Sequence, residues 1–217
     1  MAPVSADRLP DLAALFGGNG TTRGCYCMWF INTAKEVHAG WGGGNREAFE
    51  SCTRAEARPM GLLAYADGEP VGWCAAGPRS RYGRALRSTV LRRHDPAEDD
   101  SVWLVPCFFV RVGFRRQGIM RELLTHAVDL AAGHGATAIE GFPLSGEKRR
   151  GSGDAYLGVE SLFATCGFAI VDRPTANRVV MRRELGAPDR TDSRARKGAR
   201  RTVGGSSSHP ARGTMAR

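Results

Sequence analysis

The residues best suited to chemistry form the turn Gly113-Phe114-Arg115-Arg116-Gln117-Gly118, which lies between an apolar run and a helical stripe. Val102–Val112 is apolar and β-rich, which predicts a buried strand. From Ile119 on, apolar residues recur at Met120, Leu123, Leu124, Ala127, Val128 and Ala131, the spacing of one helix face, and Gly133 closes the stripe. A strand that feeds a helix through a glycine-containing turn presents free backbone N–H groups at the helix start. Together with the positive end of the helix dipole, those groups suit a phosphate. Arg115, Arg116 and Gln117 add charge and side-chain donors, and Gly118 lets a pyrophosphate approach the backbone. The same six residues could equally be a plain turn with exposed arginines. The elements around them have to decide.

Those elements alternate between the two periodicities. Ala6–Phe16 predicts a helix closed by Gly17-Gly18-Asn19-Gly20, and Asn45–Ala55 another, with Asn45 as N-cap and Glu47 in its first turn. Gly61–Ala66 and Val71–Ala76 flank Asp67-Gly68-Glu69-Pro70, a hairpin signal because glycine accepts the positive φ of a tight turn. A short helix is expected near Arg84–Arg92, followed by an acidic loop to Asp100. After the helix that starts at Ile119, Ala136–Phe142 predicts a second buried strand. Strand, helix and strand in this order form a βαβ unit with parallel strands. Gly146–Gly153 is a basic, glycine-rich loop. Val159, Leu162, Phe163 and Cys166 then predict a helix stopped by Gly167, and Phe168–Val171 with Arg178–Arg182 a closing hairpin. Nothing beyond Leu185 has the composition to build a core, so the boundary falls between a domain at 1–186 and a disordered basic tail at 187–217.

Composition narrows the class. With 42% hydrophobic and 24% charged residues the chain is neither collagen, nor wholly disordered, nor a disulfide miniprotein. Of the net charge of +9, eight Lys/Arg against two Asp/Glu after Leu185 give the tail +6, which leaves the body only mildly basic. The tail has no interleaved aromatics, so it predicts unspecific phosphate attraction and no specific nucleic-acid partner. The apolar run at Val102–Val110 is far shorter than the ~20 residues of a membrane span. Asp7, Arg8 and two prolines stand where a secretory signal would need its apolar stretch. Six cysteines without an export signal fit a reducing, cytoplasmic setting. Cys25-x-Cys27 with His38 and Cys52 could hold zinc, but irregular spacing falls short of a zinc-ribbon pattern, and buried thiols are the simpler reading, so no metal is expected.

The run Phe109-Val110-Arg111-Val112-Gly113-Phe114-Arg115-Arg116-Gln117-Gly118-Ile119-Met120, followed by Leu123-Leu124, resembles the acetyl-CoA signature of the GNAT acetyltransferase superfamily. There, an Arg/Gln-x-x-Gly-x-Gly/Ala turn joins the fourth strand to the third helix. Ser161-Leu162-Phe163-Ala164-Thr165-Cys166-Gly167-Phe168 is similar to that family's late helix and Gly-Phe pair. The resemblance covers about Ala6 to Leu185. It implies an α/β fold in which a central, twisted, mixed sheet of six to seven strands is flanked by helices, with parallel fourth and fifth strands that splay apart. Two residues depart from the pattern. Met120 stands where the family has Gly or Ala, and Phe163 stands four before Gly167, where many members carry a Tyr that protonates the departing thiolate.

What the resemblance implies is direct transfer of acetyl from acetyl-CoA, as cosubstrate, to a primary amine of a small molecule or protein. The cosubstrate would rest on Arg115, Arg116, Gln117, Gly118, Ile119 and Met120, and the oxyanion would be met by the backbone near Phe109 and Val110. Glu140, the one carboxylate on the predicted fifth strand, is the expected general base through water, with Asp99 and Asp100 behind it. Tyr156 is the expected acid in place of Phe163, unless water serves. Cys107 could carry acetyl covalently only with a base beside it, and neither His126 nor His134 is evidently placed for that. Tyr26, Trp29 and Phe30, with Trp41, either line the acceptor pocket or pack the core. A CoA-binding module without turnover is the competing expectation. The closing hairpin offers an edge on which a homodimer could form.

Overall fold

The computed structural model describes residues 1–146 and 156–186. The tail and most of the glycine-rich loop at 146–153 therefore lie outside the described residues. Short strand β1 (Ala2–Pro3) and a 3-10 turn lead into α1 (Leu9–Gly17), α2 (Gly20–Cys25), α3 (Ala34–Ala39) and α4 (Gly44–Ala55). Strands β2 (Gly61–Ala66) and β3 (Glu69–Pro78), helix α5 (Gly83–Leu86) and strand β4 (Val102–Val110) follow. Helix α6 (Ile119–Gly133), β5 (Ala138–Gly141), α7 (Glu160–Thr165), β6 (Ala169–Thr175) and β7 (Arg178–Glu184) complete the described part. The seven strands form one sheet in the order β1-β2-β3-β4-β5-β7-β6. Its β4–β5 pair is parallel and its other pairs are antiparallel.

Each face of the sheet carries its own core. Leu123, Leu124, Ala127, Val128 and Ala131 of α6 and Phe163 of α7 are buried against Leu62, Trp103, Val105, Phe108 and Ile139. On the other face, Leu12, Leu15 and Phe16 of α1 and Phe49 of α4 cover Leu63, Trp73, Cys107 and Phe109. The helical stripe and the apolar strands predicted from the sequence thus lie in these cores. The turn at Asp67-Gly68 takes positive φ at both residues, 50° and 82°, as the hairpin signal requires.

Several boundaries differ from expectation, each for a local reason. The first helix begins as a 3-10 turn at Ala6–Arg8 because Pro10 can occupy only the first turn of the α-helix. Asn45 is not the cap of α4, since Gly43 precedes that helix. Asn45 is buried instead, and its Nδ2 donates at 2.8 Å to both Gly24 O and Val37 O, tying α4 to α2 and α3. Helix α3 was not anticipated, although its capping box is written as Thr33-x-x-Glu36. The helix expected near Arg84–Arg92 is the shorter α5, and β4 stops at Val110 rather than Val112.

Asn45 gives a direct test of this half of the fold. Asn45→Ala would leave two buried carbonyls without donors, at about 1–3 kcal/mol. For a domain of this size that lowers the melting temperature by roughly 3–10 °C, measured by circular dichroism, whereas a purely surface role would leave it unchanged.

Candidate active site at the parting of two parallel strands

The pairing of β4 with β5 ends half-way along β4. Val102, Trp103, Leu104 and Val105 pair with Ala138, Ile139, Glu140 and Gly141, and Pro106–Val110 continue with no β5 partner. A bulge sits at the same point. Ala75 pairs with Cys107 and Gly77 with Leu104, so β4 carries one residue more than β3 between these pairs. Pro106 lies within that extra stretch, where its missing N–H removes no ladder bond. The bulge also switches faces: Trp103 and Val105 face α6 before it, and Phe108 does so after it. The unpaired edge at Cys107–Val110 presents alternate backbone N–H groups to the gap.

The end of β4 leads into the arginine turn. Arg115 Nε donates to Val110 O at 2.9 Å, and Gln117 Nε2 donates to Gly113 O at 2.9 Å, which closes the loop on itself. Gly113, Arg116 and Gly118 take positive φ of 98°, 64° and 83°. Gly118 immediately precedes α6 and accepts from Arg121 and Glu122. Among the described residues, no acceptor meets the backbone N–H groups from Arg115 to Met120. Residues 115–118 are exposed, and nothing stands where a Cβ on Gly118 would point. Ile119 and Met120 pack against the α6-side core, so the departure at Met120 does not crowd the turn. Free amides, a helix dipole and open space fit a diphosphate.

At the mouth of the gap the predicted residues fall into three groups. Tyr156 stacks on Phe109, a residue of the unpaired stretch of β4, with ring centroids 6.3 Å apart and planes 20° from parallel. Phe163 is fully buried, edge-on to Phe108 and Phe168, and its ring lies so close over Gly141 that a Cβ there would come within 2.2 Å of it. Of the aromatic cluster, Phe30 packs on Phe142 at 5.6 Å, directly after the last paired residue of β5, and Trp29 is half-buried beside it. For Tyr26 the structure takes the core alternative: it is 3% exposed and edge-on to Phe16 and Phe49. Trp73 and Trp103 are core as well.

Glu140 occupies a setting that the sequence did not show. It lies on the face opposite α6, 4% exposed, and both of its oxygens are taken. Arg79 Nη1 donates to Oε2 and Arg182 Nη1 to Oε1, each at 3.0 Å. Arg79, itself 1% exposed, also lies 3.2 Å from Asp99 and 3.5 Å from Glu98. Arg182 reaches Glu98 at 2.9 Å. Hydrogen bonding and charge from Arg182, and then the charge of Arg79, hold the Glu98 carboxyl below its ordinary value. Arg79 was missed because its only sequence signal is an arginine that follows an apolar strand.

Cys107 is buried on the α1 face beside Cys27, whose Sγ accepts from Trp73 Nε1 at 2.8 Å. Interaction with Cys107 together with burial pushes the Cys27 thiol well above its usual range, and burial first of all pushes Cys25 up to about 12. Thiols so raised are poor nucleophiles and poor ligands. His126 and His134 hydrogen-bond to carbonyls of α6, His38 stacks on Trp41 and His94 meets Leu91 O; none of these bonds reaches Cys107. Among the described residues no group of three or more His, Cys, Asp or Glu side chains could hold a metal ion. None of the described helices is long and apolar enough to cross a membrane.

Three substitutions test this geometry. An L-residue at Gly118 must adopt a left-handed backbone at about 1–2 kcal/mol, so Gly118→Val should lower the melting temperature by roughly 3–8 °C. Its side chain, projecting into the open space beside the amides, should weaken CoA binding roughly tenfold by calorimetry. Arg79→Ala, which strips a partner from a buried carboxylate, should cost about 3–5 kcal/mol. Because Glu98 has a lowered folded pKa, its pairing stabilises fully above the ordinary glutamate value of 4.5 and is lost as pH falls through the lower folded value. Glu98→Gln should therefore flatten the acid side of the stability profile, measured by denaturant melts at stepped pH.

Comparison with known proteins agrees with the geometry. The model of the Acetyltransferase (GNAT) family matches residues 24–142, more than half of the chain. Among solved structures, the GNAT domain of S. lividans PAT is 16% identical, with a TM-score of 0.50 over 85% of this chain and 89% of that one. The ribosomal-protein-alanine N-acetyltransferase from Brucella melitensis is 16% identical, with a TM-score of 0.49 over 85% and 98%. At 16% identity the likeness to the S. lividans domain is one of fold alone. None of the curated proteins matches the sequence. Splayed parallel strands, an amide-lined turn after the fourth strand and the family match over both lead to one conclusion: the chain belongs to the GNAT acetyltransferase family.

Proposed function

We propose that this chain is an acetyl-CoA-dependent N-acetyltransferase that passes acetyl directly to a primary amine within a ternary complex. The observation that carries the reading is the junction of two backbone features at the end of β4. The unpaired edge at Cys107–Val110 runs straight into the free amides of Arg115–Met120, so one extended ligand can meet both. Acetyl-CoA supplies an activated thioester carbonyl. The amides from Arg115 to Met120 hold the diphosphate, helped by Arg116, while Arg115 is tethered to Val110 O. Backbone N–H groups near Phe109 and Val110 stabilise the oxyanion that develops on the carbonyl.

Proton traffic follows from what each side chain is free to do. Phe163 has no proton to give, and the phenol of Tyr156 beside Phe109 is the donor for the departing thiolate. Glu140, with Arg79 and Arg182 on its two oxygens, is the counter-ion that fixes the paired end of β5 rather than a free base. The amine then loses its proton to water at the mouth of the gap. All six cysteines are free thiols, which supports a reducing, cytoplasmic setting.

The apolar ring at Phe163 also favours a second reading, a CoA-binding module without turnover. Incubation with acetyl-CoA and a panel of amines, read by the mass of acetylated product, separates the two: product supports the enzyme, and CoA binding without product supports the module. For the enzyme, Tyr156→Phe should lower kcat by about 10²–10⁴ with little change in the KM for acetyl-CoA. A kcat left intact would assign the proton to water.

A further inference from the structure

Arg84 is a cation placed like a receptor. Its guanidinium carbon lies 3.8 Å from the ring centroid of Trp29, and its Nη1 is buried with no hydrogen-bond partner. The other half-buried or buried arginines nearby are satisfied. Arg79 has Glu98, Asp99 and Glu140, Arg81 has Glu56, and Arg182 has Glu98, Glu140 and Glu184. Arg79 Nε, also without a well-aligned hydrogen bond, still has Asp99 Oδ1 at 3.2 Å. Among the described residues, Arg84 Nη1 is thus the buried guanidinium nitrogen that has neither an acceptor nor a carboxylate. Nothing in the fold demands such a group, and leaving it unpaired is costly.

Its position gives it a use. Trp29 precedes Phe30, and Phe30 packs on Phe142 at the point where β5 leaves β4. Phe30 also borders the cluster that contains Cys107 and Phe109, against which Tyr156 packs. Arg84 therefore stands on the wall of aromatic residues that leads to the unpaired edge of β4. A guanidinium with one face on an indole keeps its in-plane N–H groups for a ligand, and a planar fork of donors matches two oxygens of an oxyanion.

We infer that Arg84, seated on Trp29, binds an anionic group of the acceptor, so that the acceptor is a small amine that also carries a carboxylate or phosphate. This inference rests on the proposed acetyl transfer and names the substrate class of that site. It also accounts for the half-buried Trp29: the indole orients the cation and forms the apolar floor beside the anion.

Calorimetry on the full chain tests it. The chain is first titrated with CoA and then, at saturating CoA, with N-acetylglycine, N-acetylleucine, N-acetylphenylalanine and N-acetyl-O-phosphoethanolamine. Each of the three acids is compared with its primary amide, and the phosphate with N-acetylethanolamine. The expected result is that at least one anion binds about tenfold or more tightly than its neutral counterpart. Arg84→Met should abolish that preference, Arg84→Lys should keep part of it, and the Kd for CoA should be unchanged in both. Preference for the acids or for the phosphate identifies which oxyanion is taken. If CoA binds while anions and neutral forms bind alike or not at all, or if Arg84→Met keeps the preference, the inference is overturned and the acetyltransferase reading stands. If CoA itself gives no binding heat, that reading falls and the inference falls with it. The lysine variant guards against misfolding, because it retains the charge and the stem that covers Trp29.

Discussion

A parallel strand pair that separates part-way along leaves backbone groups that no neighbouring strand can satisfy. In this protein that separation follows Val105 and Gly141, and the rest of the site depends on it. Two local devices set it. The bulge with Pro106 turns the remainder of β4 away from its former register, and the ring of Phe163 covers Gly141 so closely that no side chain could replace it there. The cost of unpaired N–H groups is tolerable only where a ligand or water meets them. An open edge at the centre of a sheet is therefore a feature of function, and the helices on both faces keep the sheet intact around it.

The ion cluster behind the gap bears on the same constraint. Glu140 is the last residue but one of β5, and its carboxylate is fixed by Arg79, just after β3, and by Arg182 of β7. Three strands are thus tied at the level where β4 and β5 are still paired. Breaking one partner would leave a buried charge, so the cluster holds the closed end of the gap firmly while the open end stays free. The division of labour is between side-chain charges that hold the sheet together and backbone amides left free at its open end.

Much of this was legible in the sequence because it depends on local periodicity. The stripe from Ile119 to Ala131, the Asp67-Gly68 turn and the run Val102–Val110 each contain their own evidence, and together they specify a strand, helix and strand joined through a glycine-containing turn. Asn45, Tyr26 and Glu140 were harder for a shared reason. Each is a polar or amphipathic residue whose role is set by partners outside its own element: Gly24 and Val37 for Asn45, Phe16 and Phe49 for Tyr26, Arg79 and Arg182 for Glu140. Those partners sit on other elements, and the periodicity of one element does not reveal them. The capping box at Thr33 and Glu36 was legible, but the six-residue helix behind it buries only Val37 and so shows no apolar stripe.

The central claim is that one ligand bridges the unpaired edge of β4 and the amides that open α6. Amide hydrogen exchange followed by mass spectrometry, with and without acetyl-CoA, measures this at the backbone itself. Slowed exchange in peptides that span 107–110 and 115–120, with little change in α1 to α4, is the result the structure predicts. Unchanged exchange in both segments at saturating acetyl-CoA would contradict it.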